Sequence, residues 1–131
     1  MRTWIYNRIR DTLGIPNDMI NNVISSGAVD NPDPPFMAVS MGTEQTPLGM
    51  PAESGTQEIP FDVYVHDRPG SMLKIDQACV ALKNNLPTVD GAVAGGMSIH
   101  SIRWEDTSAD AYDDHYQTNM RRVSFRMYTS R

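Results

Sequence analysis

The stretch "EIPFDVYVHDRPGSMLKIDQACVALKNNL" (58–86) constrains the fold more than any other part of the chain. Across it the hydrophobic period changes from that of a strand to that of a helix, with a Pro-Gly break between. Residues 58–66 alternate. Ile59, Phe61, Val63 and Val65 share one face, and Glu58, Pro60, Asp62, Tyr64 and His66 share the other. Pro60 cannot donate to a ladder, which predicts an edge strand or a position near the strand start. Met72, Ile75, Cys79, Leu82 and Leu86 then form one helical stripe, predicting a helix over 71–86 with Ser71 as N-cap and Pro87 as its stop. Asp67, Pro69 and Gly70 are turn chemistry: proline presets φ and glycine accepts positive φ. His66 and Asp67 are adjacent, so on an extended chain their side chains point to opposite faces. A structural turn therefore explains the pair better than a catalytic histidine–carboxylate contact.

The flanks supply the other elements. Residues 2–13 read as an amphipathic helix with Ile5, Ile9 and Leu13 in one stripe, Trp4 beside them and Gly14 as the C-cap. Pro16 opens a second short helical turn carrying Ile20, Val23 and Ile24. Residues 27–35 are a breaker-rich linker. Residues 36–41, "FMAVSM", form the first strand, apolar on both faces except at Ser40 and hence central or interface-facing. Residues 42–57 lack periodicity and form a long loop or an extended hairpin tip, a class that is commonly functional or mobile. Residues 88–96 are a Gly-rich connector without the Lys-Ser/Thr ending of a phosphate loop. Residues 97–105 are a strand with broken alternation, 106–118 an acidic loop, and 119–129 the last strand. In that strand Val123, Phe125 and Met127 face one way, and Arg122, Ser124, Arg126 and Tyr128 the other. The order α-β-β-α-β-β predicts an α+β fold: an antiparallel or mixed four-stranded sheet with helices on one face, spanning 1–131 as one domain.

Composition narrows the function. The chain has 131 residues, 40% of them apolar and 21% charged, which suits one folded domain with a sizeable core. No apolar run is long enough to span a bilayer, and the N-terminus does not read as a secretory signal, so folding in a reducing cytosol is expected. Cys79 is the single cysteine and lies in a helical stripe, so it reads as a small core residue. A net charge of −5 disfavours a general nucleic-acid binder. The nine methionines offer adaptable apolar contact, in the core or at subunit interfaces. His100 falls in a strand and His115 in the acidic loop. Asp110, Asp113 and Asp114 lie near His115, but their spacing is not that of a calcium loop. No hydrolase, metalloprotease or cofactor motif is present. The expectation is a non-enzyme with no cofactor and no metal. Arg122, Arg126 and Tyr128, with Arg121 nearby, follow directly on the acidic loop. Such opposite charges serve either as local ion pairs or as contacts across a subunit boundary.

Several of these runs carry a resemblance. "PPFMAVSMG…TPLG" followed by "IPFDVYVHDRPGSMLKIDQACVALKNNL" resembles the tail terminator, or tail completion, proteins of long-tailed bacteriophages. The aromatic-x-His-Asp-x-x-Gly turn is Tyr64 to Gly70, and the helix pair is Ile75-Asp76. "IHSIRWEDTSADAYDDHYQTNMRRVSFRMY" is similar to that family's closing hairpin, and the likeness covers roughly 33–128. The resemblance implies a structural virion protein at the head-proximal end of the tail, made in the host cytoplasm. It implies a homohexameric ring that docks on the finished tail tube, stops tube polymerisation and offers a surface to the head-tail connector or head completion protein. DNA would only pass through the lumen, and no membrane is involved. On that expectation Glu44, Leu48 and Met50 in the 42–57 loop, and Asp110, Asp113 and Asp114 in the acidic loop, contact tube or neighbour. Arg122, Arg126 and Tyr128 would then face the next protomer. Another neck protein of the same phage, and a small cytosolic enzyme or ligand-binding domain centred on His66 with Tyr64 or His100, are the other readings.

Overall fold

A computed structural model describes residues 2–27, 32–46, 55–87, 93–94 and 96–130. Helix α1 is Arg2–Arg10, α2 is Asn17–Ile20 and α3 is Leu73–Asn85. The strands are β1 Val23–Ser25, β2 Phe36–Met41, β3 Thr56–Asp67, β4 Val93–Ala94, β5 Met97–Thr107, β6 Ala111–Asp113 and β7 Thr118–Ser130. The α+β class is observed. Among the described residues the sheet has seven strands rather than four, in the order β1-β2-β3-β7-β5-β4, with β6 also paired to β7. No described helix is long and apolar enough to cross a membrane.

The long antiparallel ladder of β3 on β7 forms the spine, from Thr56 opposite Ser130 to Asp67 opposite Asn119. β2 pairs antiparallel to the outer side of β3, and β5 to the outer side of β7. The three unexpected strands are short, and long-range pairing makes each of them. Val23 and Ile24, expected on a helix, leave α2 at the Asn21-Asn22 break and run parallel to Met37 and Ala38. β4 emerges from the Gly-rich connector against Met97 and Ser98. β6 turns the expected acidic loop into a hairpin, with Ala111 opposite Met120.

One face of the sheet carries the helices and the core. Met37 and Val39, then Ile59, Phe61, Val63 and Val65, then Ile99 and Ile102, then Val123, Phe125 and Met127 are buried there with Ile5, Ile9 and the α3 stripe. Phe61 and Phe125 are cross-strand neighbours whose rings stack at 5.3 Å. Of the expected stripe, Ile75, Cys79, Leu82 and Leu86 are buried, while Met72, just before α3, is half-buried against the core. Burial pushes the Cys79 thiol up to about 11, so it is an inert core residue.

Local details differ from expectation for identifiable reasons. Helix α1 stops at Arg10 because the chain tightens there. Thr12 N–H donates to the Ile9 carbonyl at 3.0 Å, and the Thr12 hydroxyl donates to Arg8 O at 3.0 Å. This rotates Leu13 off the stripe to 78% exposure, and Ile15 takes its place in the core. Gly14 adopts φ +92, and a Cβ there would lie 3.2 Å from that of Ala81, so α3 packs close against this bend. Ser71 is not the formal N-cap of α3. That position is Met72, and the Ser71 hydroxyl instead accepts from Leu73 N–H at 3.2 Å. Asp67 Oδ1 accepts from Arg68 N–H at 2.7 Å, and Gly70 has φ +118, so the expected turn forms.

Pro60 lies in a central strand, not an edge strand. Its carbonyl accepts from Gly42 N–H at 2.7 Å, on the β2 side, just past the end of β2 at Met41. The missing proline N–H faces the same side, where the ladder has lapsed, and pairing resumes only between Gln45 and Glu58. Gly42 is pressed onto this spot: a Cβ would sit 2.5 Å from Pro60 Cγ and 3.0 Å from Pro60 O. Gly42→Ala is therefore expected to cost about 1–3 kcal/mol by overpacking. Urea unfolding measures it as a lowered midpoint at unchanged slope. An unchanged midpoint would mean that residues 42–45 do not lie along β3.

Candidate functional site: the helix-free face of the sheet

Residues directly opposite in a ladder share a face. On β7, Arg122, Ser124, Arg126 and Tyr128 stand opposite Tyr64, Asp62, Pro60 and Glu58 of β3. From the other side, Asp106, Arg103 and Ser101 of β5 stand opposite Ser124, Arg126 and Tyr128. Together they tile the face away from the helices, and Arg122, Arg126 and Tyr128 fall there together as the alternation predicts.

Arg126 is the hub. Its Nη1 lies 2.7 Å from Glu58 Oε1 and its Nε 2.5 Å from Glu105 Oε1, so one guanidinium ties β3 to β5 across β7. Glu105 reaches it because β5 bulges between Trp104 and Asp106. The Glu105 hydrogen bond, aided by the charges of Glu105 and Glu58, raises the Arg126 pKa above its ordinary value. Arg122 approaches Asp106 at 3.6 Å, while its Nε is buried with no hydrogen-bond partner among the described residues. The Arg103 guanidinium lies over the Tyr128 ring at 5.2 Å. Arg121 projects from the opposite, helix-bearing face and binds Asp110 at 2.6 Å and Asp76 of α3 at 3.3 Å.

The expected contact loops lie at the two ends of the sheet. Glu44 precedes the Gln45–Glu58 bridge, at the Tyr128 end of β7, whereas Leu48 and Met50 fall outside the described residues. The acidic residues lie around β6, at the Thr118 end. The strand between them rises about 3.3 Å per residue, which separates the two ends by roughly 30 Å. In the acidic hairpin Asp110 is engaged by Arg121, and Asp113 Oδ1 accepts from Tyr116 N–H at 3.0 Å. Asp114 is exposed, as is the Tyr112 ring.

His66 and His100 do not converge. His66 aligns with Met120 on β7, while His100 lies beside Ile99, which aligns with Thr129. The two are thus near opposite ends of the same strand. His100 Nε2 is 2.6 Å from Ser130 Oγ and exposed. Among the described residues no group of three or more His, Cys, Asp or Glu is arranged to hold a metal ion. An open hollow of about 610 Å3 lies elsewhere, between α3 and the bend after α1, lined by Gly14, Pro16, Asp76, Gln77, Val80, Ala81, Asn84 and Asn85.

His66, named from the sequence as the centre of the ligand-binding alternative, lies on the face of β3 that alternation gives it, yet it is 2% exposed. Its ring stacks on Phe36 at 4.4 Å, meets the Tyr116 ring edge-on at 5.5 Å, and places Nδ1 2.8 Å from Thr118 Oγ1. Burial lowers its pKa to about 4, partly offset by the charge of Asp113, so the imidazole is neutral at pH 7. The one available signal was Phe36, an aromatic residue at the start of a strand that pairs with β3.

No family model matches the chain, and no curated protein matches it.

Proposed function

We propose that this chain is a ring-forming tail terminator of a long-tailed bacteriophage, placed at the head-proximal end of the tail. In this reading six copies close into a ring that caps the tail tube, stops its growth and receives the head-tail connector. DNA crosses the lumen without being gripped, consistent with a net charge of −5. The observation that carries the reading is the helix-free face of the sheet. It displays Arg103, Arg122 and Arg126 among Glu58, Asp62, Glu105 and Asp106, with Tyr64 and Tyr128 between them. A face of mixed charge with aromatic residues suits contacts that must fix register between identical subunits. The separation of the 42–46 segment from the β6 hairpin supports it too. A terminator needs one end for the tube and another for the connector.

The proposal is tested by polymerisation in vitro. Adding the purified chain to elongating tube protein from the same phage should halt growth at one end and fix the length distribution. Tubes that lengthen as fast as without it would refute capping.

A further inference from the structure

The β6 hairpin is weakly anchored to the described sheet. β6 pairs through three residues and only with β7, and Ala111 and Tyr112 are exposed. Its turn stores local strain, with Gln117 at φ +54. Ser108 bonds Arg122 and Asp110 pairs with Arg121 at its base, while its turn is closed by Tyr116, whose ring meets Phe36 at 5.4 Å and His66 at 5.5 Å, both edge-on. Thr118, at the hairpin base, is fully buried against His66 Nδ1. One imidazole therefore joins β2, β3, β7 and the hairpin turn.

We propose that His66 is an acid-sensitive latch: the neutral ring holds the 108–117 hairpin closed, and the imidazolium releases it while the β2-β3-β7-β5 sheet stays folded. The groups around the ring admit this. β2 offers Phe36, and β7 offers Thr118 and Met120, all uncharged. On β3 itself Tyr64 lies two residues back, and the adjacent Asp67 turns Oδ1 to Arg68 N–H. The turn offers Tyr116, with His115 packed behind it at 4.7 Å, and Asp113. Asp113 favours the charged form, but its Oδ1 is committed to Tyr116 N–H, and burial outweighs it. The sign follows from linkage. An open hairpin exposes His66 to water, where its pKa returns toward 6.5, against about 4 when closed. The open form then binds the extra proton, so opening rises as pH falls, by about tenfold per pH unit between those values, and levels off below the lower one.

Amide hydrogen exchange of the full chain, corrected for intrinsic pH dependence, reads this directly. Between pH 6 and pH 4.5, protection at residues 111–113 and 118–120 should fall about 20-fold, while Val63 and Phe125 remain protected. His66→Phe keeps an aromatic ring on Phe36 and cannot titrate, so its hairpin should stay equally protected at both pH values. Tyr116→Ala should leave the hairpin open at both, and it keeps the test decisive if the first variant misfolds. Constant hairpin protection in the parent chain would overturn the latch. So would an acid-induced loss that persists in His66→Phe, which would assign the opening to the carboxylates of Asp110 and Asp113.

Discussion

Replacing Phe125 by alanine is expected to remove about 3–5 kcal/mol of stability, a large share of what the fold holds. Phe125 is fully buried at the centre of β7, stacked on Phe61 at 5.3 Å and laddered to Trp104. Its removal deletes apolar transfer energy and leaves a cavity between two sheet strands that cannot close without breaking register. Domains of this size hold only about 5–15 kcal/mol in all. The variant should therefore unfold at a clearly lower urea concentration. Phe125→Leu, which keeps most of the volume, should recover more than half of the loss. Equal losses for both would place Phe125 outside the core.

The second large effect concerns assembly. Arg122→Glu with Arg126→Glu should abolish capping of tube ends. The structure adds a complication that alternation alone did not reveal, because Arg126 already bridges Glu58 and Glu105 within its own chain. Reversing it sets three carboxylates together, with Glu58 only 13% exposed, and should cost about 1–3 kcal/mol of stability. The variant must therefore be compared at a temperature where circular dichroism shows it folded. Arg103→Glu is the cleaner companion. Arg103 lies on the same face, is exposed, and contacts Tyr128, so its reversal should spare the fold and still weaken capping. Full capping by both folded variants would remove the helix-free face from the proposed interface.

How much of this was legible beforehand follows from which interactions are local. Strand β2 falls on the residues that its apolar run marks, and α3 lies within the span of its stripe, because period and breakers are carried by the segment itself. β1, β4 and β6 carry two or three residues each and exist only because a distant partner strand is there. Leu13 illustrates a different failure. Its spacing fits the α1 stripe, but one side-chain hydrogen bond at Thr12 and the close approach of α3 to Gly14 end the helix first. For the candidate surface, alternation alone placed Arg122, Arg126 and Tyr128 on one face. Their partners Glu58, Glu105 and Asp106 come from two other strands, and Glu105 arrives through a bulge that no sequence pattern marks. The burial of His66 could not be read from the strand pattern, because its cover, Tyr116, folds back from fifty residues along the chain.

The measurement that tests the terminator proposal most directly is electron microscopy of lysates from a phage lacking this gene. The account predicts overlong or uncapped tail tubes beside filled, unattached heads. Tails of normal length that merely fail to join heads would point to a connector acting after termination. Normal virions would contradict any role for the chain at the tail end.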